Sequence, residues 1–318
     1  RSSAASDVYK RQFPDQFRNS SLGFWNDAEF ASKVGWKGDP VLTPNLDRFA
    51  REATVLTEAV SNFPVSSPHR GMLLSGMYPE RNGVVLNCMS ERPESSLRED
   101  AECIGDVFSA AGYDCAYIGK LHADFPTKNN PQRPGTYVSD AVPEWDAYTP
   151  PERRHGFEYW TAYGTYDYHL KPMYWDTTAP RDSFYYVNQW GPAYEADKAI
   201  EYIQTQKENK QPFALVVSMN PPHTGYELVP DKYKDIYRNV NVETLCNSPL
   251  IAPKGTEMGD FYRKSVLDYY ACMTGVDEQV GRIIRQLKEQ GLYDNTIVVF
   301  TSDHGDSMGM HDHIGKNI

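Results

Sequence analysis

Unbroken apolar runs alternate along this chain with segments whose apolar residues recur every three or four positions. Residues 213–217 form such a run without alternation, which is typical of a strand buried on both faces of a parallel sheet. Residues 115–118 and 295–300 show similar runs. We therefore expect three short buried strands, each followed closely by polar residues.

The strongest helical pattern lies in residues 261–287 and predicts one long helix that packs against a sheet and ends near Gly291. Residues 100–111 and 193–207 are predicted to form further helices, the first ended by Gly112. The apolar face of the long helix consists of Tyr262, Val266, Tyr269, Met273, Val276, Val280, Ile283 and Leu287.

A shorter helix is predicted after Thr43, which we interpret as its N-cap, with Pro44 in its first turn. Leu46, Phe49 and Ala50 lie on one face of this helix. The expected role of that face is packing.

Helices that alternate with such strands predict an α/β fold, a three-layer sandwich with a central, mostly parallel sheet. Ligands bind beyond the carboxyl ends of the strands in such folds. The segments that end at Lys120, His223 and Asp303 place polar residues at that edge. Residues 125–192 break the pattern with Pro, Gly and aromatics, which either line a substrate rim or cover the sheet as a long insertion.

Composition narrows the class of protein. In 318 residues, 40% apolar content allows a large core, and no apolar segment is long enough to span a membrane. The 43 acidic and 32 basic residues give a formal charge of -11, which argues against a general nucleic-acid surface. The five cysteines are odd in number and contain no C-x-x-C pair, so we expect buried free thiols.

The most informative motif is NFPVSSPHRGMLLSG in residues 62–76, where Ser66 lies two residues before Pro68 and four before Arg70. If Ser66 caps the helix that Pro68 opens, the positive end of the helix faces the group that Ser66 attacks. Arg70, one turn later, is then placed to bind an oxyanion with two N–H groups. An ordinary capped helix is the alternative for this segment taken alone.

This motif, followed by residues 77–81 (MYPER), resembles the signature of the type I sulfatases, formylglycine-dependent members of the alkaline phosphatase superfamily. Further blocks resemble family segments in family order from about Phe13 to the last residue. These blocks are residues 43–60, Asp15-Gln16, residues 119–122, Pro221-Pro222-His223, residues 301–305 and Gly315-Lys316. The resemblance implies hydrolysis of sulfate esters, with a sulfated sugar as the expected substrate.

The resemblance also implies that Ser66 is the precursor of formylglycine, an aldehyde made by an accessory enzyme. The serine form resembles substrates of the radical-based maturation system, so a maturating enzyme of that type is an expected partner. Hydrated formylglycine would attack sulfur while Arg70 and a metal hold the nonbridging oxygens, and sulfate would then leave by elimination. His69 stands where the family often carries serine.

The other catalytic roles carried over are those of two lysines and two histidines. Lys120 would stabilise the aldehyde hydrate or the sulfuryl oxygens, and His122 would take the proton that drives elimination. His223 and Lys316 would protonate the departing alcohol or balance its charge.

One divalent metal ion is implied as cofactor, and Ca²⁺ best fits a set of hard oxygen ligands. Asp15, Gln16 and Asp303 would bind it together with an oxygen on residue 66. His304, which stands where asparagine is frequent, is the remaining candidate ligand. Gln16 stands where many relatives carry aspartate, which should weaken or retune the metal.

Both ends of the sequence look incomplete. Residues 1–12 show no apolar periodicity and resemble a translated adapter, so we exclude them from the fold and expect a natural strand before Phe13. We expect residues 13–318 to be the N-terminal catalytic domain, with any signal peptide and a C-terminal subdomain outside the sequence. A natural short variant is the alternative.

Two other functions stay open at this point. A phosphodiesterase or phosphonate monoester hydrolase of the same superfamily also uses formylglycine, and a set with Gln16 resembles that branch. A non-catalytic anion-binding protein, or a fragment in which Ser66 is never oxidised, is the third hypothesis. Family relatives are commonly exported, which implies a periplasmic or extracellular location.

Overall fold

The computed structural model describes residues 8–89, 92, 94–128, 145–146 and 148–316. The helices in these residues are α1 (Ala28–Val34), α2 (Pro44–Glu52), α3 (Ser66–Ser75), α4 (Pro79–Asn82), α5 (Ile104–Ala110), α6 (Gly191–Asn209), α7 (Asp231–Tyr237) and α8 (Glu257–Glu289). Short 3₁₀ segments lie at Gly23–Asn26, Pro151–Arg153, Val242–Leu245 and Tyr293–Asn295. The strands are β1 (Val8–Gln12), β2 (Asp114–Lys120), β3 (Thr127–Lys128), β4 (Trp145–Asp146), β5 (Tyr159–Tyr163), β6 (Met173–Asp176), β7 (Tyr185–Tyr186), β8 (Phe213–Ser218) and β9 (Thr296–Phe300).

Among the described strands, seven form one sheet in the order β7-β6-β5-β2-β8-β1-β9. Strands β5, β2, β8, β1 and β9 run parallel to one another. Strand β6 is antiparallel to β5, and β7 is antiparallel to β6. The prediction of a mostly parallel central sheet is confirmed. Within the described part of the chain, no helix has the length and apolarity needed to cross a bilayer.

The two faces of the sheet pack against different helices. Alternate residues of β2 show this: Ala116 and Ile118 belong to a core that includes residues of α2, α6, α7 and α8, and Cys115 and Tyr117 belong to a second core on the side of α3 and α5. Because side chains on a strand alternate between faces, this division shows helices on both sides. The three-layer sandwich is therefore confirmed.

The long helix α8 matches its predicted pattern. Every residue of the predicted apolar face is buried, and the helix ends just before Gly291, as expected. Thr256 caps it by accepting a hydrogen bond from the Gly259 N–H at 3.2 Å. The predicted helix at residues 193–207 is confirmed as α6, whereas α5 is shorter than predicted because Cys103 already occupies its N-cap.

The helix predicted after Thr43 is α2, and Thr43 is its N-cap residue as predicted, although its side chain makes no cap hydrogen bond. The Thr43 hydroxyl accepts from the Gly23 N–H at 2.7 Å and donates to Asp47 at 2.8 Å. The free N–H groups of Asn45 and Leu46 donate instead to the Asp277 carboxylate of α8, at 3.2 and 2.7 Å. The sequence could not indicate this acceptor, because Asp277 is more than two hundred residues away.

The exclusion of residues 1–12 from the fold is wrong for its last five residues. Val8–Gln12 forms β1, which lies between β8 and β9 and leads into Phe13. A parallel ladder is made by backbone N–H and C=O groups, so a segment without apolar periodicity can still fill this place. That residues 1–12 are not native stays a prediction.

The strand predicted at residues 295–300 is β9, but it is not fully buried. It is the edge strand of the described sheet, where it pairs with β1, and Ile297 is 64% exposed. An apolar run does not reveal whether a strand has one neighbour or two, and the prediction of burial is wrong for that reason.

Residues 125–192 extend the sheet through β5, β6 and β7, and part of this stretch, residues 129–144 and 147, lies outside the described residues. Tyr163, Tyr166, Tyr174 and Trp175 are buried in one aromatic cluster, which supports the interpretation that these rings cover the sheet. Tyr168 is 39% exposed. A substrate rim stays a prediction for that residue.

We predict that Gly119→Ala destabilises the protein by about 3 kcal/mol. Gly119 has φ +100°, and a Cβ there would lie 2.1 Å from the Ser218 carbonyl oxygen. Gly112→Ala is the matched control, because Gly112 has φ +84° and a Cβ would meet nothing within 4 Å. It should cost about 1 kcal/mol. Equal urea midpoints for the two variants would show that β2 and β8 are not this close.

Candidate active site

Ser66 lies at the start of α3, but it is not the helix cap. The helix begins at Ser66 itself, the N-cap Val65 makes no side-chain cap hydrogen bond, and the free N–H of Ser67 donates to Asn87 Oδ1 at 3.1 Å. The prediction that Ser66 caps a helix opened by Pro68 is wrong, because the backbone is already helical at residue 66. The Ser66 hydroxyl is therefore available to side chains of other segments.

The fully buried Ser66 Oγ is surrounded by side chains from three other segments. It lies 3.1 and 3.2 Å from the two Asp15 oxygens and 3.2 Å from Asp303 Oδ2. His304 Nε2 and Lys316 Nζ each lie 3.4 Å away. Asp15 follows β1 and Asp303 follows β9, so the sheet brings these distant residues to one edge, which the strand pattern predicted for Asp303.

The two carboxylates are paired with buried cations. Lys120 Nζ lies 2.5 Å from Asp15 Oδ2, and Arg70 Nη2 lies 3.2 Å from the same oxygen. Arg70 Nε lies 3.4 Å from Asp303 Oδ2, and all four side chains are inaccessible to solvent. Burial raises the pKa of Asp15, but Lys120, His223 and Arg70 outweigh it and hold that pKa well below its usual value.

Arg70 has more protein partners than the sequence suggested. Its Nη1 donates to the Lys120 carbonyl at 2.8 Å and to Ser218 Oγ at 2.7 Å, and its guanidinium lies over the Phe13 ring at 5.0 Å. A bidentate grip on a bound oxyanion was predicted. The guanidinium faces the two carboxylates instead, so in this structure Arg70 neutralises Asp15 and Asp303 and orders the end of β2.

Lys120 and His223 belong to a hydrogen-bonded chain with two residues that the sequence did not single out. Lys120 Nζ donates to Asn220 Oδ1 at 3.0 Å, and Asn220 Nδ2 donates to Asp167 Oδ1 at 2.9 Å. His223 Nδ1 lies 3.1 Å from that same Asp167 oxygen. Asn220 was detectable as a polar residue just after β8, whereas Asp167 lies in an irregular segment without such a signal.

His122 lies directly after β2 and has φ +46°. Its Nε2 lies 3.3 Å from the Cys88 carbonyl oxygen, and its Nδ1 is buried without a hydrogen-bond partner. Burial, with Lys120 and Arg70 adding to it, lowers the pKa of His122 well below its usual value. The ring is therefore neutral, and because Nε2 donates to Cys88, Nδ1 is left as a proton acceptor.

Gln16 is placed differently from the other candidate metal ligands. Its side-chain Nε2 donates to Asp306 Oδ2 and lies 3.4 Å from the Tyr226 hydroxyl. Its backbone N–H donates to Asp303 Oδ1 at 3.0 Å. The structure thus brings the main chain of Gln16 to the site and turns its carboxamide to Asp306, an acid that the sequence reasoning missed although it follows Asp303 by three residues.

The ligand set of Asp15, Asp303 and His304 fits a divalent cation. His304 Nδ1 lies 2.9 Å from the Gly305 carbonyl oxygen, so Nδ1 carries the proton. Burial lowers the pKa of His304, which keeps the ring neutral and leaves a lone pair on Nε2. That lone pair faces Asp15 Oδ1 at 3.3 Å and Asp303 Oδ2 at 3.6 Å, an arrangement that is repulsive unless a cation lies between them.

A second group of metal-ligand residue types has another explanation. Cys103, Asp106 and His155 have ligand atoms within 4.8 Å of one another. Cys103 and Asp106 form a capping box at α5, in which the Asp106 carboxylate accepts from the Cys103 N–H at 2.9 Å. His155 Nδ1 adds an ion-pair contact to Asp106 at 3.5 Å. Helix capping accounts for this cluster.

Comparisons with known proteins agree with the site. The profile of the Sulfatase family matches residues 22–318. The chain is 53% identical over 299 residues to the endo-4-O-sulfatase of Bacteroides thetaiotaomicron, covering 93% of this chain and 58% of that protein. It is 37% identical over 303 residues to the ulvan-active sulfatase of Formosa agariphila, covering 94% of this chain and 50% of that protein. The chain thus spans little more than half the length of these relatives.

Solved structures show the same architecture. The Bacteroides fragilis protein yidJ, which is assigned to the sulfatases, has a TM-score of 0.89 and 54% identity, over 100% of this chain and 66% of that one. A Bacteroides thetaiotaomicron structure, described in connection with the metabolism of multiple glycosaminoglycans, has a TM-score of 0.86 and 50% identity, over 96% of this chain and 62% of that one. With the family profile over nearly the whole chain, these matches show that the chain belongs to the sulfatase family.

Proposed function

We propose that this protein hydrolyses sulfate esters carried by a sulfated glycan. The observation that supports this most strongly is that Asp15, Asp303 and Lys316 contact the Ser66 hydroxyl, while the buried Arg70 and Lys120 pair with these carboxylates. A sulfate group carries negative charge on its nonbridging oxygens, and such a site concentrates positive charge where they would lie. The names of the relatives, an endo-4-O-sulfatase and an ulvan-active sulfatase, favour a polysaccharide substrate.

Residue 66 is the proposed nucleophile, in the form of formylglycine made from serine. When present, the hydrated aldehyde supplies one hydroxyl for attack and a second from which sulfate can be eliminated. The folded chain buries Ser66 completely. A radical-type maturating enzyme would therefore reach it before the surrounding loops close.

The surrounding side chains divide the remaining work. Lys316 Nζ, 3.4 Å from Ser66 Oγ, is placed to bind sulfuryl oxygens, and Lys120 holds Asp15 in place. The free Nδ1 of His122 is a proton acceptor for the elimination step. Hydrogen bonds link Lys120 through Asn220 and Asp167 to His223, which is placed to protonate the departing alcohol.

We propose Ca²⁺ as the metal, held by Asp15, Asp303, His304 and an oxygen on residue 66. Bound there, it would act as a Lewis acid that polarises the sulfuryl group. The two carboxylates favour a hard ion such as Ca²⁺, whereas the imidazole of His304 is a ligand type that transition metals also accept. By analogy with exported relatives, we propose a periplasmic or extracellular location.

The direct test is turnover by the full-length protein coexpressed with a radical-type maturating enzyme. We predict release of sulfate from sulfated glycan fragments and a loss of at least about 10⁴-fold in Ser66→Ala, because the nucleophile is gone. Ser75→Ala, on the same helix, is the control and should retain turnover. Activity in Ser66→Ala, or a preference for phosphate diesters over sulfate esters, would contradict the proposal.

We predict that mass spectrometry of the tryptic peptide spanning residues 52–70 shows the loss of two hydrogens at position 66. Oxidation of the serine alcohol to an aldehyde removes exactly that mass. Protein expressed without the maturating enzyme is the control and should carry unmodified serine. An unmodified Ser66 after coexpression would instead support the anion-binding protein.

We predict that Ca²⁺ stabilises chelator-treated protein by about 2 to 3 kcal/mol at a hundredfold excess over its Kd, seen as a higher Tm. Asp303→Asn should remove most of this gain because it deletes a charged ligand. Asp312→Asn, at an exposed position, should keep it. An equal Ca²⁺ shift in all three proteins would place the ion elsewhere.

A further inference from the structure

Asp167 accepts hydrogen bonds on one oxygen from two directions. Asn220 Nδ2 donates to its Oδ1 at 2.9 Å, and His223 Nδ1 lies 3.1 Å from the same atom. Asp167 and His223 each have a side chain about 15% exposed. The pair therefore lies at the border between the buried charge cluster and solvent, where a leaving group would have to exit.

The orientation of Asn220 is determined by its partners. Its Nδ2 also donates to the Tyr166 carbonyl at 3.0 Å, so the amide nitrogen has two acceptors and its oxygen faces the donor Lys120 Nζ at 3.0 Å. Lys120 in turn lies 2.5 Å from Asp15. An unbroken polar chain thus links the proposed metal ligand Asp15 to His223, across the width of the site.

The backbone around His223 is also held in place. The His223 N–H donates to the Asn220 carbonyl at 3.0 Å in a tight turn. His169 Nε2, which is buried, lies 3.2 Å from the His223 carbonyl and 3.1 Å from the Thr224 carbonyl. The imidazole therefore has little freedom except rotation, which the contact between Nδ1 and Asp167 restricts.

We propose that Asp167 is a positioning residue, which holds Nδ1–H of His223 and thereby presents Nε2–H as the acid for the departing sugar alcohol. Asn220 hydrogen-bonds this pair to Lys120, so the distance between the acid His223 and the nucleophile at residue 66 stays constant. This proposal rests on the proposed function. It adds the groups that protonate a leaving group too basic to depart without an acid.

Cleavage of the ester bond and proton transfer from His223 occur together in this step. The bond between sulfur and the ester oxygen breaks as a bond from residue 66 to sulfur forms, and the ester oxygen takes the Nε2 proton of the His223 imidazolium. Neutral His223 keeps its Nδ1 proton, shared with the Asp167 carboxylate, and is reprotonated from water. The attacking hydroxyl of residue 66 loses its proton to water, and Nδ1 of His122 stays free for the proton released in the elimination step.

The charges around Asp167 support its role. Burial raises the pKa of Asp167, but His223 and Lys120 outweigh it and keep the carboxyl ionised in the neutral range. An ionised carboxylate beside Nδ1 stabilises imidazolium, as in dyads of other hydrolases where replacing the acid by its amide leaves the wrong tautomer.

The test is Asp167→Asn in the matured full-length enzyme, assayed on a sulfated sugar and on 4-nitrophenyl sulfate. The sugar alcohol needs an acid and nitrophenolate does not, so kcat should fall at least about 100-fold on the sugar and less than about 10-fold on the aryl sulfate. His223→Ala should give the same asymmetry, and the double variant should be no worse than His223→Ala. Asp312→Asn, at an exposed position, is the control.

Equal losses on the two substrates would overturn the proposal, because a merely structural defect does not depend on the leaving group. A second readout does not need turnover: at a pH where His223 is neutral, histidine ¹⁵N chemical shifts should show its single ring proton on Nδ1 in the parent and partly on Nε2 in Asp167→Asn. Unchanged shifts would overturn the proposal even in an inactive protein. Failure of the parent enzyme on both sulfate esters, with the shifts as expected, would count against the proposed function alone.

Discussion

The requirement that buried charges be paired governs this site. Removing a carboxylate or an ammonium group from water is costly unless an opposite charge compensates. Asp15 and Asp303 are completely buried, and Arg70 and Lys120 are buried beside them. Lys316 adds a third cation beside Ser66, so three cations gather around these two carboxylates although the chain as a whole carries a formal charge of -11. Attraction of an anionic substrate therefore has to come from this local cluster and not from the net charge of the chain, as the composition indicated.

The fold supplies these charges from the carboxyl edge of one parallel sheet. Lys120 at the end of β2 meets residues that follow β1, β8 and β9 there, and α3 brings residue 66 to the same place. Helix α8 holds the loop after β1, because the Tyr269 hydroxyl donates to the Gln16 carbonyl at 2.7 Å. The close approach of β2 to β8 at Gly119 brings Lys120 next to Asn220. Packing far from the chemistry thus determines the distances within it.

Features with a strong local period could be predicted from the sequence. The apolar face of α8 and the runs that became β2 and β8 were identified because burial imposes their patterns. The edge positions of Lys120 and Asp303 followed from the strands predicted before them, whereas Asp15 was placed in the site by the family resemblance. Carboxyl ends of parallel strands lie at one edge of a sheet.

What could not be predicted depends on contacts between distant segments. Asp277 caps α2, Gln16 turns to Asp306, and Asp167 pairs with His223, and no local pattern marks any of these partners. The N-cap of α3 was misassigned to Ser66 by a local rule that the surrounding carboxylates override. For the same reason residues 8–12 were left out of the fold although a strand before Phe13 was expected, since pairing with β8 and β9 places β1 and no local pattern marks it.

The central claim is that one divalent cation lies between Asp15, Asp303 and His304 beside residue 66. Anomalous diffraction from crystals of the matured protein grown with Ca²⁺ tests it most directly. The account predicts a peak bonded to oxygens of both aspartates and of residue 66 at about 2.3 to 2.6 Å, with His304 Nε2 facing it. A peak elsewhere, with the two aspartates paired only to Arg70 and Lys120, would contradict it.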